Sequence, residues 1–206
     1  MAYCVARFYS GPANVDVEAI GTWLQKELVP SIAKIPGFQR YSGLHLKDGR
    51  LGSFSVFDSK QAAEQAAPVA RDWLKSRREL AEFRLDMALQ GQVGLAITGS
   101  TPATTQRAYA VARLYRTDAS FDQVNAAIEE EGFSAIRAIP GLLRYTTAQL
   151  EDGRIATFNA FASEQGARAV TRTAKELRMK GGTMLSKVLP GDPEVLEGTI
   201  LFTYGK

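Results

Sequence analysis

The chain says nearly the same thing twice. Ala2-Tyr3-Cys4-Val5-Ala6-Arg7-Phe8-Tyr9 returns as Ala108-Tyr109-Ala110-Val111-Ala112-Arg113-Leu114-Tyr115. Ile35-Pro36-Gly37-Phe38-Gln39-Arg40-Tyr41 returns as Ile139-Pro140-Gly141-Leu142-Leu143-Arg144-Tyr145, and Leu46-Lys47-Asp48-Gly49-Arg50 as Leu150-Glu151-Asp152-Gly153-Arg154. The offset is 106 residues in the first block and 104 in the other two, so two residues drop out before the first helix of the second copy. A period this long marks two whole domains rather than a solenoid of small units. The expected boundaries are 1–99 and 108–206. Between them lies a small, polar, Pro-containing linker over 100–107.

A chain of 206 residues suits two domains of about 100 residues each. A half of that size has a limited core, so each half is expected to bury surface against the other. The net charge of +3 comes from scattered Lys and Arg, which gives no nucleic-acid footprint. No apolar stretch approaches membrane-spanning length, and with the strand pattern starting at once no secretory signal is expected. The single cysteine, Cys4, rules out an internal disulfide framework and fits a reducing cytoplasm.

Each half reads β-α-β-β-α-β. The first strand spans roughly residues 2–10, with β-branched and aromatic residues alternating with small ones. Val17, Ile20, Leu24, Leu28, Ile32 and Ile35 then fall at helical spacing behind the N-cap candidate Asp16. Their counterparts are Phe121, Val124, Ile128, Ile136 and Ile139, behind a Ser120/Gln123 capping box. Pro30 should bend or interrupt the first helix. Pro-Gly ends each helix, and Asp48-Gly49 and Asp152-Gly153 predict hairpins. Small-residue helices start near Ser59 and Ser163. Residues 77–89 read as an extra helix, and final strands are expected over about 92–98 and 198–204.

This order suits a ferredoxin-like domain, an antiparallel sheet with both helices on one face. On the first strand, Ala2, Cys4, Ala6 and Phe8 alternate with Tyr3, Val5, Arg7 and Tyr9. On the third, Gly52, Phe54 and Val56 alternate with Leu51, Ser53, Ser55 and Phe57. The small and apolar sets suit close helix packing, which assigns Cys4 to the helix side. The mixed aromatic and polar sets are then expected to face each other across two packed sheets.

These halves, the Ile-Pro-Gly-Phe turn, the third strand ending in Val56-Phe57-Asp58-Ser59 and the run Pro193-Glu194-Val195-Leu196-Glu197-Gly198 together resemble the dimeric α+β barrel superfamily. Within it the sequence looks most like antibiotic-biosynthesis-monooxygenase-like domains. The resemblance implies an α+β fold of two tandem ferredoxin-like β-α-β-β-α-β repeats, their antiparallel sheets packed face to face. The tandem would hold both halves of what is usually a homodimer, and a homodimer of the whole chain stays open. The superfamily includes cofactor-free oxygenases, haem enzymes, isomerases and proteins without known activity, so fold alone does not choose a reaction.

Arg7 and Arg113 stand alone in strand centres at matching positions. A semi-buried guanidinium needs an acceptor, which a substrate carboxylate, enolate or quinone oxygen would supply; an internal ion pair would serve as well. Tyr41 and Tyr145 could donate a hydrogen bond to a polarised oxygen or act as aromatic wedges. Tyr9 and Tyr115 are expected to shape the interior. Ser55 and the equivalent Asn159 could bind a substrate oxygen or bond within the sheet. His45 is the only histidine, opposite Gln149 in the other copy, and could act as a base, a haem ligand or an ordinary surface residue. Haem-degrading relatives carry their ligating His on a helix, which this chain lacks. Trp23 and Trp73 fall on helices, where packing is the default use. Arg168, Arg172, Lys175, Arg178 and Lys180 read as a solvated basic face.

One His and one Cys cannot make a standard structural zinc site, though carboxylates could still bind a hard cation, and there is no Gly-rich phosphate fingerprint; no metal site is assigned and no tightly bound organic cofactor is expected. The leading expectation is a protein that binds a hydrophobic, oxygen-bearing aromatic compound, in the manner of cofactor-independent monooxygenases acting on aromatic or polyketide-like molecules. In it Arg7 or Arg113 holds substrate oxygen and Tyr41 or Tyr145 donates. Two alternatives are a non-enzymatic interaction module with a self-filled barrel and a haem protein using His45.

Overall fold

A computed structural model of the chain describes residues 1–99 and 108–205; the linker expected over 100–107 lies outside them. The strands are β1 (Tyr3–Ser10), β2 (Phe38–Leu46), β3 (Leu51–Phe57), β4 (Arg84–Thr98), β5 (Tyr109–Tyr115), β6 (Leu142–Leu150), β7 (Ile155–Phe161) and β8 (Glu194–Gly205). Hydrogen bonding orders them β1-β3-β2-β8-β5-β7-β6-β4, and the ladder closes as a barrel. Two compact units emerge. Unit 1 holds Met1–Gln92 with Gly198–Lys206, and unit 2 holds Val93–Glu197. The units therefore cut through β4 and β8.

In unit 1, α1 (Val17–Trp23) begins at Asp16, whose carboxylate accepts from the Ala19 amide at 3.0 Å. A π-helical turn over Leu24–Leu28 passes the chain to α2 (Val29–Ile32). Pro30 stands at the start of α2, where a missing N–H costs little. The helix α3 (Lys60–Ser76) is capped by Ser59 and lays Ala62, Ala63, Ala66 and Ala70 on the sheet. Those small side chains let α3 approach Tyr3, Val5, Tyr41 and Phe57. Gly43 leaves room for the Phe202 ring, which stacks on Tyr41 with centroids 6.1 Å apart.

Unit 2 repeats this order. The helix α4 (Phe121–Ala127) starts with the reciprocal Ser120/Gln123 capping box. A π-helical turn, Ile128–Gly132, leads into α5 (Phe133–Arg137). The helix α6 (Glu164–Met179) is capped by Ser163, and α7 (Met184–Val188) follows. Glu131 accepts from the Met184 and Leu185 amides at 2.7 and 2.9 Å and so seats α7.

Two expectations fail. Residues 77–89 are not a helix: only Arg78–Leu80 form a 3-10 turn, and β4 begins at Arg84. From Met87 onward, Leu89, Gly91, Val93 and Ile97 are buried while Gln90, Gln92 and Gly94 are exposed, a period of two that overrides the charged helix-like run before it. The sheet faces are also reversed. Tyr3, Val5, Tyr41 and Phe57 pack on the helices, and Cys4 with its alternate neighbours lies on the other face. Small residues on α3 leave room for the large rings of the sheet, whereas the small strand set is buried on the face away from the helices, with Cys4 fully inaccessible.

The turns behave as their composition demands. Gly37 (φ +88°) and Gly141 (φ +79°) follow the two prolines, and their carbonyls accept from the Asp58 and Ala162 amides at 2.8 and 2.7 Å. Gly49 (φ +86°) stands in open space, while a Cβ on Gly37 would run into the Asp58 carboxylate. Gly49→Ala should therefore cost about 1–2 kcal/mol of backbone strain alone. Gly37→Ala should cost more, because strain and clash add. Paired urea denaturation curves measure the difference, and equal losses would contradict this account.

Candidate functional site

Each unit encloses a small cavity between its sheet and its helices, of about 50 Å³ in unit 1 and about 40 Å³ in unit 2. In unit 1, Arg7 and Tyr9 of β1, Tyr41 of β2 and Ser53 of β3 form the floor. Leu24 and Leu28 of the π-helical turn, with Trp73 and Leu74 of α3, form the roof. In unit 2 the floor is Arg113, Tyr115, Tyr145 and Thr157, and the roof includes Ile128, Gly132, Leu177 and Arg178. The enclosed part of each cavity holds only a few waters as it stands, so a larger occupant must displace roof side chains.

Register explains the convergence. Arg7 pairs with Ser53 and Arg113 with Thr157, while Tyr41 pairs with Ser55 and Tyr145 with Asn159. Alternation then puts Arg and Tyr on one face, side by side on strands that share β3 or β7. Above each floor the roof begins with a helical turn that carries one extra residue, a device often found where helices border functional sites.

Arg113 is the most constrained of these groups. It is 3% exposed. Its Nη2 donates to Thr171 Oγ1 at 2.5 Å. In the amide orientation that satisfies its neighbours, Asn159 accepts from Arg113 Nη1 at 3.1 Å and donates to the Phe158 carbonyl at 3.2 Å. No carboxylate pairs with Arg113 among the described residues, and burial pulls its pKa below the usual value, partly offset by Tyr115, Tyr145 and Glu197. Arg7 is half-buried at its cavity.

The phenols around these cations are all buried enough to resist ionisation. Burial lifts Tyr41 to about 12 despite a hydrogen bond with Ser53. Burial also raises Tyr145, Tyr9 and Tyr115, with Arg113 or Arg7 pulling the other way. These hydroxyls are therefore donors throughout the neutral range. Neither cavity is lined by a carboxylate or an imidazole, so the lining can bind and polarise an oxygen but offers no general base.

Of the residues singled out from sequence, Arg7, Tyr9 and Tyr41 meet at one cavity and Arg113, Tyr115 and Tyr145 at the other. Asn159 acts behind Arg113. Ser55 donates to the Val5 carbonyl at 3.3 Å, an in-sheet use. His45 lies half-buried near the hairpin and lines neither cavity. The expected site between the sheets is not where this set lies, since the cavities are on the helix side.

Arg178 corrects the reading of a solvated basic face. Its side chain is 11% exposed. It turns inward over the Tyr115 ring at 5.6 Å while donating to the Gly191 carbonyl and, at 3.1 Å, to Asp192. The signal was in the repeat: at the 104-residue offset Arg178 matches Leu74, an apolar cavity position. Trp73 was also placed by sequence only as packing. It roofs unit 1, where Arg77 lies 5.2 and 5.9 Å from the Trp23 and Trp73 rings and pairs with Glu27.

No family model matches this chain, and no curated protein does. Solved structures do. A provisionally assigned monooxygenase from Lactobacillus acidophilus is similar at a TM-score of 0.72 and 13% identity, over 99% of this chain and 96% of that one. The chain has the dimeric α+β barrel fold. An anthrone oxidase-like protein is similar at a TM-score of 0.63 and 12% identity, over 99% and 93% of the two chains. A chlorite dismutase variant from Candidatus Nitrospira defluvii gives 0.64 and 12%, over 97% and 90%. No helix among the described residues is long and apolar enough to cross a membrane.

The raised phenols make a pH prediction. A folded-state pKa above the unfolded value favours the protonated form, so this stabilisation is complete below about pH 10 and is lost as pH rises through the folded values. Ultraviolet titration should show fewer than the seven tyrosines ionising near pH 10, with the rest following only at higher pH or on unfolding. All seven ionising together in the folded protein would contradict this.

Proposed function

We propose that the chain is two tandem ferredoxin-like copies that bind a small aromatic or polyketide-like compound in the helix-side cavities, as a cofactor-independent monooxygenase of the antibiotic-biosynthesis kind. The observation that carries this reading is Arg113: a guanidinium buried to 3% exposure without a carboxylate partner, opening onto an apolar cavity. Burying such a charge costs several kcal/mol unless something answers it. Thr171 and Asn159 answer part of it, and a ligand oxygen answers the remainder. The similar monooxygenases and the anthrone oxidase-like protein are in keeping with this substrate class.

The chemistry follows from the lining. An electron-rich phenol or enol supplies the electrons itself: an activated CH₂ reacts with O₂ to give C=O and water, with no external reductant. Arg113 or Arg7 stabilises the developing oxyanion, and Tyr145 or Tyr41, held protonated, donates a hydrogen bond to it. Without a base in the lining, the substrate must be acidic enough to ionise beside the guanidinium.

The haem alternative finds no axial donor at the Arg/Tyr set. A haem would need an axial His, Cys, Met or phenolate. No His, Cys or Met lines either cavity, His45 lies outside both, and the buried tyrosines hold their protons. The interaction-module alternative draws on the small enclosed volume of the cavities. Arg113→Met and Arg7→Met keep the bulk of the side chain and remove the cation. The double variant should lose binding of an ionisable aromatic such as 2-naphthol by about tenfold or more in calorimetry, with the fold kept. Undiminished binding would remove the reading.

A further inference from the structure

We infer that the unit 2 cavity is an acid-binding subsite: it takes an aromatic or hydrophobic ligand through a carboxylate held between Arg113 and Arg178, a two-guanidinium clamp that the unit 1 cavity, lined by Arg7 alone, does not offer. The inference rests on the proposed ligand role of the cavities and goes further by naming the ligand's charge and the half that recognises it.

Three observations converge. First, the cavities share the same floor but differ in charge at the roof. Arg7 and Arg113, Tyr9 and Tyr115, Tyr41 and Tyr145, and Ser53 and Thr157 occupy equivalent positions, but Leu74 in the first is Arg178 in the second. Second, Arg178 is incompletely satisfied. Its Nη atoms reach Gly191 and Asp192, while its Nε is buried with no hydrogen-bond partner. A buried N–H left unpaired is costly, and this one belongs to a side chain that lines the cavity. Third, no carboxylate lines the cavity among the described residues. Asp192, the carboxylate paired with Arg178, is 85% exposed and screened by water, and Arg113 has only neutral hydrogen-bond partners. Two guanidiniums bordering one apolar space repel each other until an anion sits between them, and guanidinium matches carboxylate geometry with paired donors.

The remaining wall suits the rest of such a ligand. Ile128, Ile136, Leu177, Leu185 and Leu189 supply an apolar surface. Gly132 stands where unit 1 has Leu28, removing bulk beneath the roof. No acidic residue lines the space to oppose a carboxylate.

The test compares benzoate with its neutral isostere benzamide on the full chain, followed by methyl-resolved NMR at the isoleucine and leucine residues of each cavity. At the unit 2 methyls benzoate should bind about tenfold tighter than benzamide, as a charge-assisted bidentate contact predicts. Arg178→Leu, which copies the unit 1 lining, should abolish most of that preference and leave benzamide unchanged. Asp192→Asn removes an exposed competitor and should tighten benzoate two- to threefold even where Arg178→Leu fails to fold. Equal affinities for acid and amide, or a preference that survives Arg178→Leu, would overturn the inference while leaving the cavities as ligand sites. Neither compound shifting the methyls of either cavity would overturn both readings.

Discussion

A buried guanidinium without a counter-carboxylate constrains this molecule more than any other group. Arg113 sits at the centre of β5 with 3% of its surface exposed, where desolvation of a cation is expensive. The neighbourhood is built around that expense. Thr171 on α6 and Asn159 on β7 accept from it, three tyrosine and carboxylate groups moderate its environment, and the helices leave a space rather than closing down on the sheet. A merely structural position would be filled more cheaply by Leu or Met.

The same logic explains the division of labour between sheet and helix. The strands supply polar atoms at fixed spacing, because alternation and register leave them no choice. The helices supply adjustable apolar cover. Each roof begins at a π-helical turn, and the acidic residues at the equivalent positions of the two turns, Glu27 and Glu131, are both tied down. Glu27 bonds Arg77 and Trp73, and Glu131 holds the first amides of α7.

Much of this was legible in the chain. The repeat placed the Pro-Gly turns, the Asp-Gly hairpins and the caps at Asp16, Ser59, Ser120 and Ser163, since each depends on local chemistry. It also set Arg7 against Arg113 and Tyr41 against Tyr145 as matching positions. What sequence misplaced was the side of the sheet. Cys4, Ala6, Val56 and their neighbours are small enough for close helix packing, yet α3 brings its own alanines and so accepts Tyr3, Tyr41 and Phe57 instead. Alternation separates the two faces of a strand but does not say which one a helix will cover. Arg178 was hidden for a related reason: in a basic helix, only the match to Leu74 marks it as inward-facing.

The central claim is that ligand binds on the helix side of the sheets, against Arg7 or Arg113. A crystal soaked with 2-naphthol tests it directly. The account predicts ring density under the α3 or α6 roof, with the naphthol oxygen within hydrogen-bonding reach of the guanidinium and of Tyr41 or Tyr145. Ring density against Cys4, Ala6 and Phe8, on the opposite face of the sheet, would contradict it.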